Sequence, residues 1–398
     1  MKKFLLSSLL CVLVILAQAQ TGKQVADSNN MFAFEFYKHV DAGKSNVFYS
    51  PLSITTAMAM AQTGARNETY KQISHVMHFN VLPKRFMGGI ETLVNAVESD
   101  TLTDTANHVV INLANSVWLG DSLKVKQTYA DLMTNIYHAT STKVSFADTN
   151  TRNVINNWVE RKTNGKIKNL VPQGILNAST RMVLVNAIYF NARWQTPFSK
   201  QYTLQKPFYI SKHDSVMADM MHITNSYLYY EDENLQAVQM PYKGNSLSMI
   251  VLLPKGVKAA LNKMESLLDE KYYNRIIDSM STKKVRLSLP KFKTTDEFQL
   301  KDVLSKMGMP IAFTPNADFS SLTDESICID KVIHKSFIDV TESGTEAAAA
   351  TAVVMRQSMV MSPKLLVTFN ANHPFVFLVR DNATGCILFM GKIMNPLN

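Results

Sequence analysis

The chain has 398 residues, a formal charge of +9, 46% hydrophobic and 18% charged content, values that fit a globular protein and exclude a disordered or low-complexity one. Three cysteines are too few for a disulfide-built scaffold, and beyond the first twenty residues no apolar run is long enough to span a bilayer.

The chain opens with Lys2 and Lys3, an apolar stretch from Phe4 to Ala17, and the small-x-small sequence Ala17-Gln18-Ala19. Residues 1–19 therefore read as a secretory signal, with the mature chain starting near Gln20. A membrane anchor is disfavoured because the run is short and polar residues follow at once. A lipid on Cys11 would cut the apolar stretch in half, so a surface lipoprotein is disfavoured as well. The brief signal suits a bacterium, and the product would be secreted or periplasmic. Loss of Lys2 and Lys3 lowers the charge from +9 to +7. The remaining cations are dispersed, densest at Lys283-Lys284-Val285-Arg286 and Lys291-Phe292-Lys293. There a solvated strand face is the simpler reading than a polyanion site, and no nucleic-acid partner is expected. Cys328 and Cys386 lie in apolar, strand-like stretches and read as buried free thiols, with a single bridge as the alternative.

Helices come first. Ser50-Pro51 is a capping signal for a helix that carries Leu52, Ile54, Ala57, Met58 and Ala61 inward and stops near Gly64. Arg152 to Lys166 gives another, with Ile155, Trp158 and Val159 on one face and Gly165 ending it. Between them, His108 to Leu119 alternates as a half-buried strand. From Met182 strands dominate. Met182 to Tyr189 is apolar on both faces, as a covered central strand would be. Gln236 to Pro241 and Leu247 to Leu253 flank a Lys243-Gly244-Asn245 hairpin, and Phe375 to Arg380 pairs with Cys386 to Ile393. Helices followed by large sheets make an α+β fold.

Two polar residues interrupt the buried strands. Asn186 is the polar member of Met182 to Tyr189, and His334 shares a strand face with Val332, Ser336, Ile338 and Val340. Each would cost about 1 to 3 kcal/mol if buried without a partner, so both are expected to be hydrogen-bonded, either separately in the core or in one shared network. No nucleophile elbow, metalloprotease, redox or phosphate-loop motif occurs, which disfavours an enzyme. His75 and His78 stand three apart, but no further ligand accompanies them; no metal or other cofactor is expected.

The most specific segment is Glu342-Ser343-Gly344-Thr345-Glu346, followed by Ala347, Ala348, Ala349, Ala350, Thr351, Ala352, Val353 and Val354. Alanine favours helix, so a surface helix is one reading and a slack tether another. As a strand, however, Thr345, Ala347, Ala349, Thr351, Val353 and Met355 would share a small or apolar face able to enter a sheet. Gly344, just after the strand-like Ile333 to Val340, is a permissive hinge.

The chain resembles the serpin family over its whole mature length. The matching stretches are Asn46-Val47-Phe48-Tyr49-Ser50-Pro51-Leu52-Ser53, Asn157-Trp158-Val159, Lys162-Thr163-Asn164-Gly165-Lys166-Ile167, Leu184-Val185-Asn186-Ala187-Ile188-Tyr189-Phe190 and Trp194. Val238-Gln239-Met240-Pro241-Tyr242, the segment Glu342 to Ala350, His373-Pro374-Phe375 and Phe389-Met390-Gly391-Lys392 complete them in order. The resemblance implies one domain over residues 20–398, with three β-sheets, about nine helices and an exposed reactive-centre loop at about 342–368. It also implies a monomer acting as a suicide substrate of serine, or also cysteine, proteases. The protease cleaves the loop and forms an acyl-enzyme; the hinge then inserts into the central sheet and traps the protease before deacylation. By position, Ser50, Ser53, Asn186 and His334 match the shutter where that sheet opens. Trp194, Glu342 and Lys291 match the breach where insertion begins, and Glu342, Gly344, Thr345, Glu346 and Ala347 to Ala350 form the hinge.

Counting Glu342 as the first residue of the loop, the seventeenth is Ser358, which makes Ser358-Met359 the default scissile bond. The loop is several residues longer than the family's usual one, so Met355, Arg356, Val360 and Met361 stand as alternative bait residues. Arg356 suits a trypsin-like protease, and the methionines or Val360 suit elastase-, cathepsin-G- or subtilisin-like ones. Bulky, charged or proline residues in the inserting part of the hinge would obstruct insertion, and this chain has Thr345 and four alanines there, which favours an inhibitor over a non-inhibitory carrier or chaperone. A new strand gains roughly 0.5 to 1.5 kcal/mol per hydrogen bond, while ordering each residue costs about 1 to 2 kcal/mol. Insertion is therefore expected to draw on packing strain held in the uncleaved form.

Overall fold

The computed structural model describes residues 22–40, 43, 45–80, 88–89, 109–345 and 366–398. Among them are eight α-helices: α1 (22–40), α2 (Pro51–Gly64), α3 (Asn67–Val76), α4 (Gln127–Asn135), α5 (Thr151–Lys162), α6 (Lys258–Leu267), α7 (Glu270–Asp278) and α8 (Lys301–Met307). Residues 1–19, expected to be a secretory signal, and residues 346–365 of the expected reactive-centre loop lie outside the described residues. No described helix is long and apolar enough to cross a membrane.

A six-stranded sheet runs in the order β10 (Phe292–Gln299), β11 (Lys331–Thr341), β12 (Gly344–Thr345), β4 (Met182–Arg193), β2 (Val109–Gly120) and β3 (Thr140–Val144). The second network joins β1 (Val47–Tyr49), β15 (Ile387–Ile393), β14 (Phe375–Asp381), β8 (Leu247–Pro254), β7 (Leu235–Pro241), β6 (Ser215–Glu231), β9 (Ser281–Pro290) and β13 (Leu366–Asn370), with β5 (Thr203–Tyr209) on β6. Its nine strands form one continuous hydrogen-bonded sheet through β6, which is 17 residues long. The N-terminal half of β6 pairs with β5 and its C-terminal end with β7, so one strand serves both.

Ser50 caps α2 as its sequence requires, its Oγ accepting the Ser53 N–H at 3.2 Å. The helix is buried on nearly every side rather than on one face, because it lies between β4 of one sheet and β15 of the other. That position explains its run of Ala, Ser and Thr, since small side chains let two sheets approach one helix. On the opposite face of the six-stranded sheet, Ile155 and Val159 of α5 pack on Val183, Val185, Ala187, Ile333 and Phe337.

Three expectations need correction. The strand at Val109–Gly120 is not half-buried, since Ala114 and Ser116 are fully covered; α2 packs on one side of it and α5 on the other. Helix α5 begins at Thr151 and ends at Lys162, with Thr163 as its cap and the Gly165 N–H bonded to Glu160 O at 2.8 Å. Cys386 is buried and Cys328 is not, because Cys328 sits in the coil before β11 begins at Lys331; both are free thiols. His75 lies on α3, whereas His78 has left it at φ 55° and its Nε2 faces Glu35 Oε2 at 2.9 Å.

Candidate functional site

The six-stranded sheet is closed at one end and open at the other. Along Lys331–Phe337, β11 pairs directly and in parallel with Val183–Tyr189 of β4. Towards the other end the two strands part, and β12 sits between them, antiparallel to both. Thr345 faces Ala192 on one side and Val340 on the other, so β4 and β11 keep a single register through the split.

Gly344 makes the entry possible. Its φ is +151°, and a Cβ there would lie 2.1 Å from Ala192 O and 2.7 Å from Arg193 Cα. No side chain fits, so the chain turns between two strands on a glycine. Thr345 is fully buried, and its Oγ1 lies 2.8 Å from the Tyr242 hydroxyl.

Trp194 covers this junction. Its backbone N–H donates to Ser343 O and its indole N–H to Thr341 O, each at 3.0 Å. The ring stacks on Tyr242 at 4.6 Å and 9°, in edge contact with Phe198 at 6.4 Å. Glu342 is buried beside it, accepting the Thr203 hydroxyl at 2.9 Å and facing Lys291 Nζ at 3.4 Å. Burial pushes its carboxyl pKa up, but its own backbone amide, Thr203 and Lys291 together outweigh that and hold it below the usual range. The three residues named by position for the breach are thus brought together, with Thr203 and Tyr242 added.

The closed end holds the second cluster. His334 Nδ1 lies 2.5 Å from Asn186 Oδ1, and the Ser50 N–H donates to His334 Nε2 at 3.1 Å. Because the amide must donate, Nε2 carries no proton and Nδ1–H donates to Asn186. Asn186 Nδ2 donates to Ser53 O at 2.6 Å and to Asn115 Oδ1. Ser50 Oγ donates to Leu388 O at 2.6 Å. Burial lowers the His334 pKa to about 3, so the ring stays neutral. The Asn186–His334 bond ties β4 to β11 where the two strands pair directly, which answers the choice left open by the sequence in favour of one shared network. Ser53 enters through its carbonyl, while its Oγ is buried without a partner among the described residues.

Three participants escaped the sequence reading. Asn115 stands opposite Asn186 in the β2–β4 register, a polar residue where a buried strand needs one. Ser336 Oγ donates to Phe48 O at 2.7 Å, and the Phe48 N–H donates to Asp296 Oδ2 at 2.6 Å. Burial raises the Asp296 pKa to about 6, a rise the Phe48 amide limits. Its signal was a lone carboxylate on the inward face of a strand shared with Phe292, Thr294 and Phe298. The bait residues Met355, Arg356, Ser358, Met359, Val360 and Met361, with Glu346 and Ala347 to Ala350 of the hinge, lie outside the described residues.

A family model described as serpin (serine protease inhibitor) matches residues 27–396. A serpin-like protein of Thermococcus kodakarensis is 37% identical over 377 residues, covering 94% of this chain and 86% of its own. Human serpin B4 is 36% identical over 94% of this chain and 99% of its own, and mouse antithrombin-III 34% identical over 94% and 82%. Among solved structures, human thyroxine-binding globulin complexed with thyroxine superposes with a TM-score of 0.86 at 28% identity, covering 95% of this chain and all of its own. Uncleaved ovalbumin gives 0.83 at 25% identity over 94% of this chain and all of its own. With Gly344 and Thr345 seated between β4 and β11 and the family model matching residues 27–396, the chain belongs to the serpin family.

Proposed function

We propose that the protein is an exported suicide-substrate inhibitor of serine proteases that inserts residues 344–354 as a new strand between β4 and β11. The observation that carries this reading is the seating of Gly344 and Thr345 between two strands that share one register. Extending that register places Ala347 beside Phe190, Ala349 beside Ile188, Thr351 between Asn186 and His334, and Val354 between Val183 and Lys331. The inserted strand would then match the 11 residues of β11.

Both faces of such a strand meet packed surfaces. Thr345, Ala347, Ala349, Thr351 and Val353 would face α2, and Ala348, Ala350 and Ala352 would face α5, so small residues are needed on each side. Arrival of Thr351 breaks the Asn186–His334 bond and supplies a hydroxyl in its place. Glu342, Lys291, Trp194 and Thr203 hold the fixed end, while Ser50, Ser53, Asn186 and His334 hold the sheet shut. Cleavage within Met355 to Met361, with Ser358-Met359 as the default bond, releases the far end.

The test is incubation with elastase, cathepsin G, subtilisin and trypsin in turn. At least one is expected to give a complex stable in denaturing gels, with loss of protease activity and release of a C-terminal fragment whose mass identifies the bond. Cleavage of the loop by all four with their activity intact would refute the reading. The non-inhibitory alternative draws on the likeness to thyroxine-binding globulin, and that same result would favour it.

A further inference from the structure

The sheet that follows the reactive-centre loop carries a face of one charge sign. On one side, β5 presents Leu204 and Lys206, β6 presents His222, Thr224, Ser226 and Leu228, β9 presents Lys284 and Arg286, and β13 presents Leu366, Thr368 and Asn370, while Phe208, Ala218 and Met220 of the same side are covered. The registers bring these together: Thr224 and Thr368 flank Arg286, and Ser226 and Leu366 flank Lys284. Among the described residues of these strands, no carboxylate shares this side. Lys206, Lys284 and Arg286 have no ion-pair partner among the described residues.

Unpaired cations on a solvated strand are ordinary. What distinguishes these is where they lie. Leu366 opens β13 opposite Lys284, and Met361 is five residues upstream, so Met361 is at most about 18 Å from that point along the chain; Met355 is at most about 40 Å away. A protease domain of some 220 residues has a radius of gyration of about 17 Å. A protease seated near Met361 is thus held within reach of this face, and one seated near Met355 reaches it unless the intervening residues are fully extended.

We propose that the Lys206, Lys284 and Arg286 face is a docking surface for the target protease, selecting proteases whose rim beside the active site is acidic. It rests on the inhibitor reading above and deepens it by naming the partner's surface chemistry. Charges at the rim of an interface act mainly on the encounter, raising the association rate and making it salt-sensitive. The loop sets which bond is cut. This face sets how fast an enzyme of a given surface charge arrives, and Thr224, Ser226 and Thr368 supply hydroxyls between the cations.

The test compares association rate constants of the full chain with subtilisin and with succinylated subtilisin, whose modified lysines carry carboxylates while its catalytic groups are untouched, both titrated for active sites. The succinylated form is expected to be trapped on the order of tenfold faster at low salt, the advantage vanishing near 0.5 M salt, where charges about 4 Å apart are already screened. The triple substitution Lys206→Glu, Lys284→Glu and Arg286→Glu should reverse the preference, and Lys206→Arg with Lys284→Arg should keep it. Melting temperatures establish that the variants fold, and neutralisation of the three to Gln serves if the acidic variant does not. An unchanged rate ratio in the folded variant overturns the docking surface and leaves the inhibitor reading intact. Where subtilisin is not a target, whichever of the four proteases forms the stable complex is compared with its own succinylated form; if none of the four is trapped, the inhibitor reading falls and takes this one with it. If dextran sulfate speeds trapping through these three residues while the charge of the protease makes no difference, the face is a polyanion site and the docking proposal is wrong.

Discussion

Acid should loosen the closed end of the sheet through His334. The ring is neutral when folded, with a pKa of about 3 against 6.5 for a free histidine, so the unfolded chain takes up the proton first as pH falls. Its contribution to stability is complete above about 6.5 and is lost progressively between 6.5 and 3. Linkage puts the loss from this residue at about 2 kcal/mol between neutral pH and pH 5. Asp296 acts in the opposite sense. Its folded pKa of about 6 exceeds the ordinary 3.8, so its contribution is fully present below 3.8 and is lost as pH rises through 6. Moving to pH 5 thus returns about 1 kcal/mol after discounting for partial exposure. The two groups clamp the same short strand, His334 through Ser50 and Asp296 through Phe48, and their net effect at pH 5 is a loss of about 1 kcal/mol. Urea unfolding at several pH values should show this shallow fall in the natural chain. His334→Gln should lower stability at neutral pH yet abolish the fall, and Asp296→Asn should steepen it to about 2 kcal/mol. Parallel pH profiles for all three proteins would refute the assignment of these groups.

Gly344→Ala places a methyl group against Ala192 O and should expel Gly344 and Thr345 from the sheet. A higher ratio of loops cut to proteases trapped is expected, read by titrating the inhibitor against a fixed amount of enzyme. Glu342→Lys sets an ammonium beside Lys291 and leaves the Thr203 hydroxyl without its acceptor; with Lys291 one-third exposed, the loss should be about 2 kcal/mol. Adding Lys291→Glu should recover part of it, and a double-mutant cycle with no coupling would show that the pair does not interact. Thr351→Val should leave the uncleaved protein unchanged in stability but reduce the gain on loop cleavage, measured by calorimetry before and after cutting.

Much of the framework was legible because it rests on local rules. Ser50-Pro51 specifies a helix start through hydrogen bonding alone, and Lys243-Gly244-Asn245 between two apolar runs specifies a hairpin. The pairing of Asn186 with His334 followed from a different constraint, since two polar groups buried in separate strands need partners. The parts that were missed depend on what lies across the fold. Nothing local reveals that Asp296 and Ser336 bond the edge of β1 that pairs with no strand, because those bonds join residues more than two hundred positions apart. The full burial of α2 was hidden for a similar reason: its small residues look like a weak amphipathic face until two sheets are set against them. Cys328 was misplaced because apolar neighbours occur in packed coil as readily as in a strand. Thr203 and Tyr242 entered the Glu342 and Thr345 sites only through the register of β5 and the corner after β7.

The claim on which the account depends is that a cut loop enters the gap between β4 and β11. It is tested by cleaving the loop with a protease that is then removed and comparing melting temperatures of the cut and uncut protein. The account predicts a sharp rise, well beyond the few degrees that 1 kcal/mol provides, as insertion relieves the strain of the split sheet. An unchanged or lower melting temperature, with the loop fully cut, would contradict it.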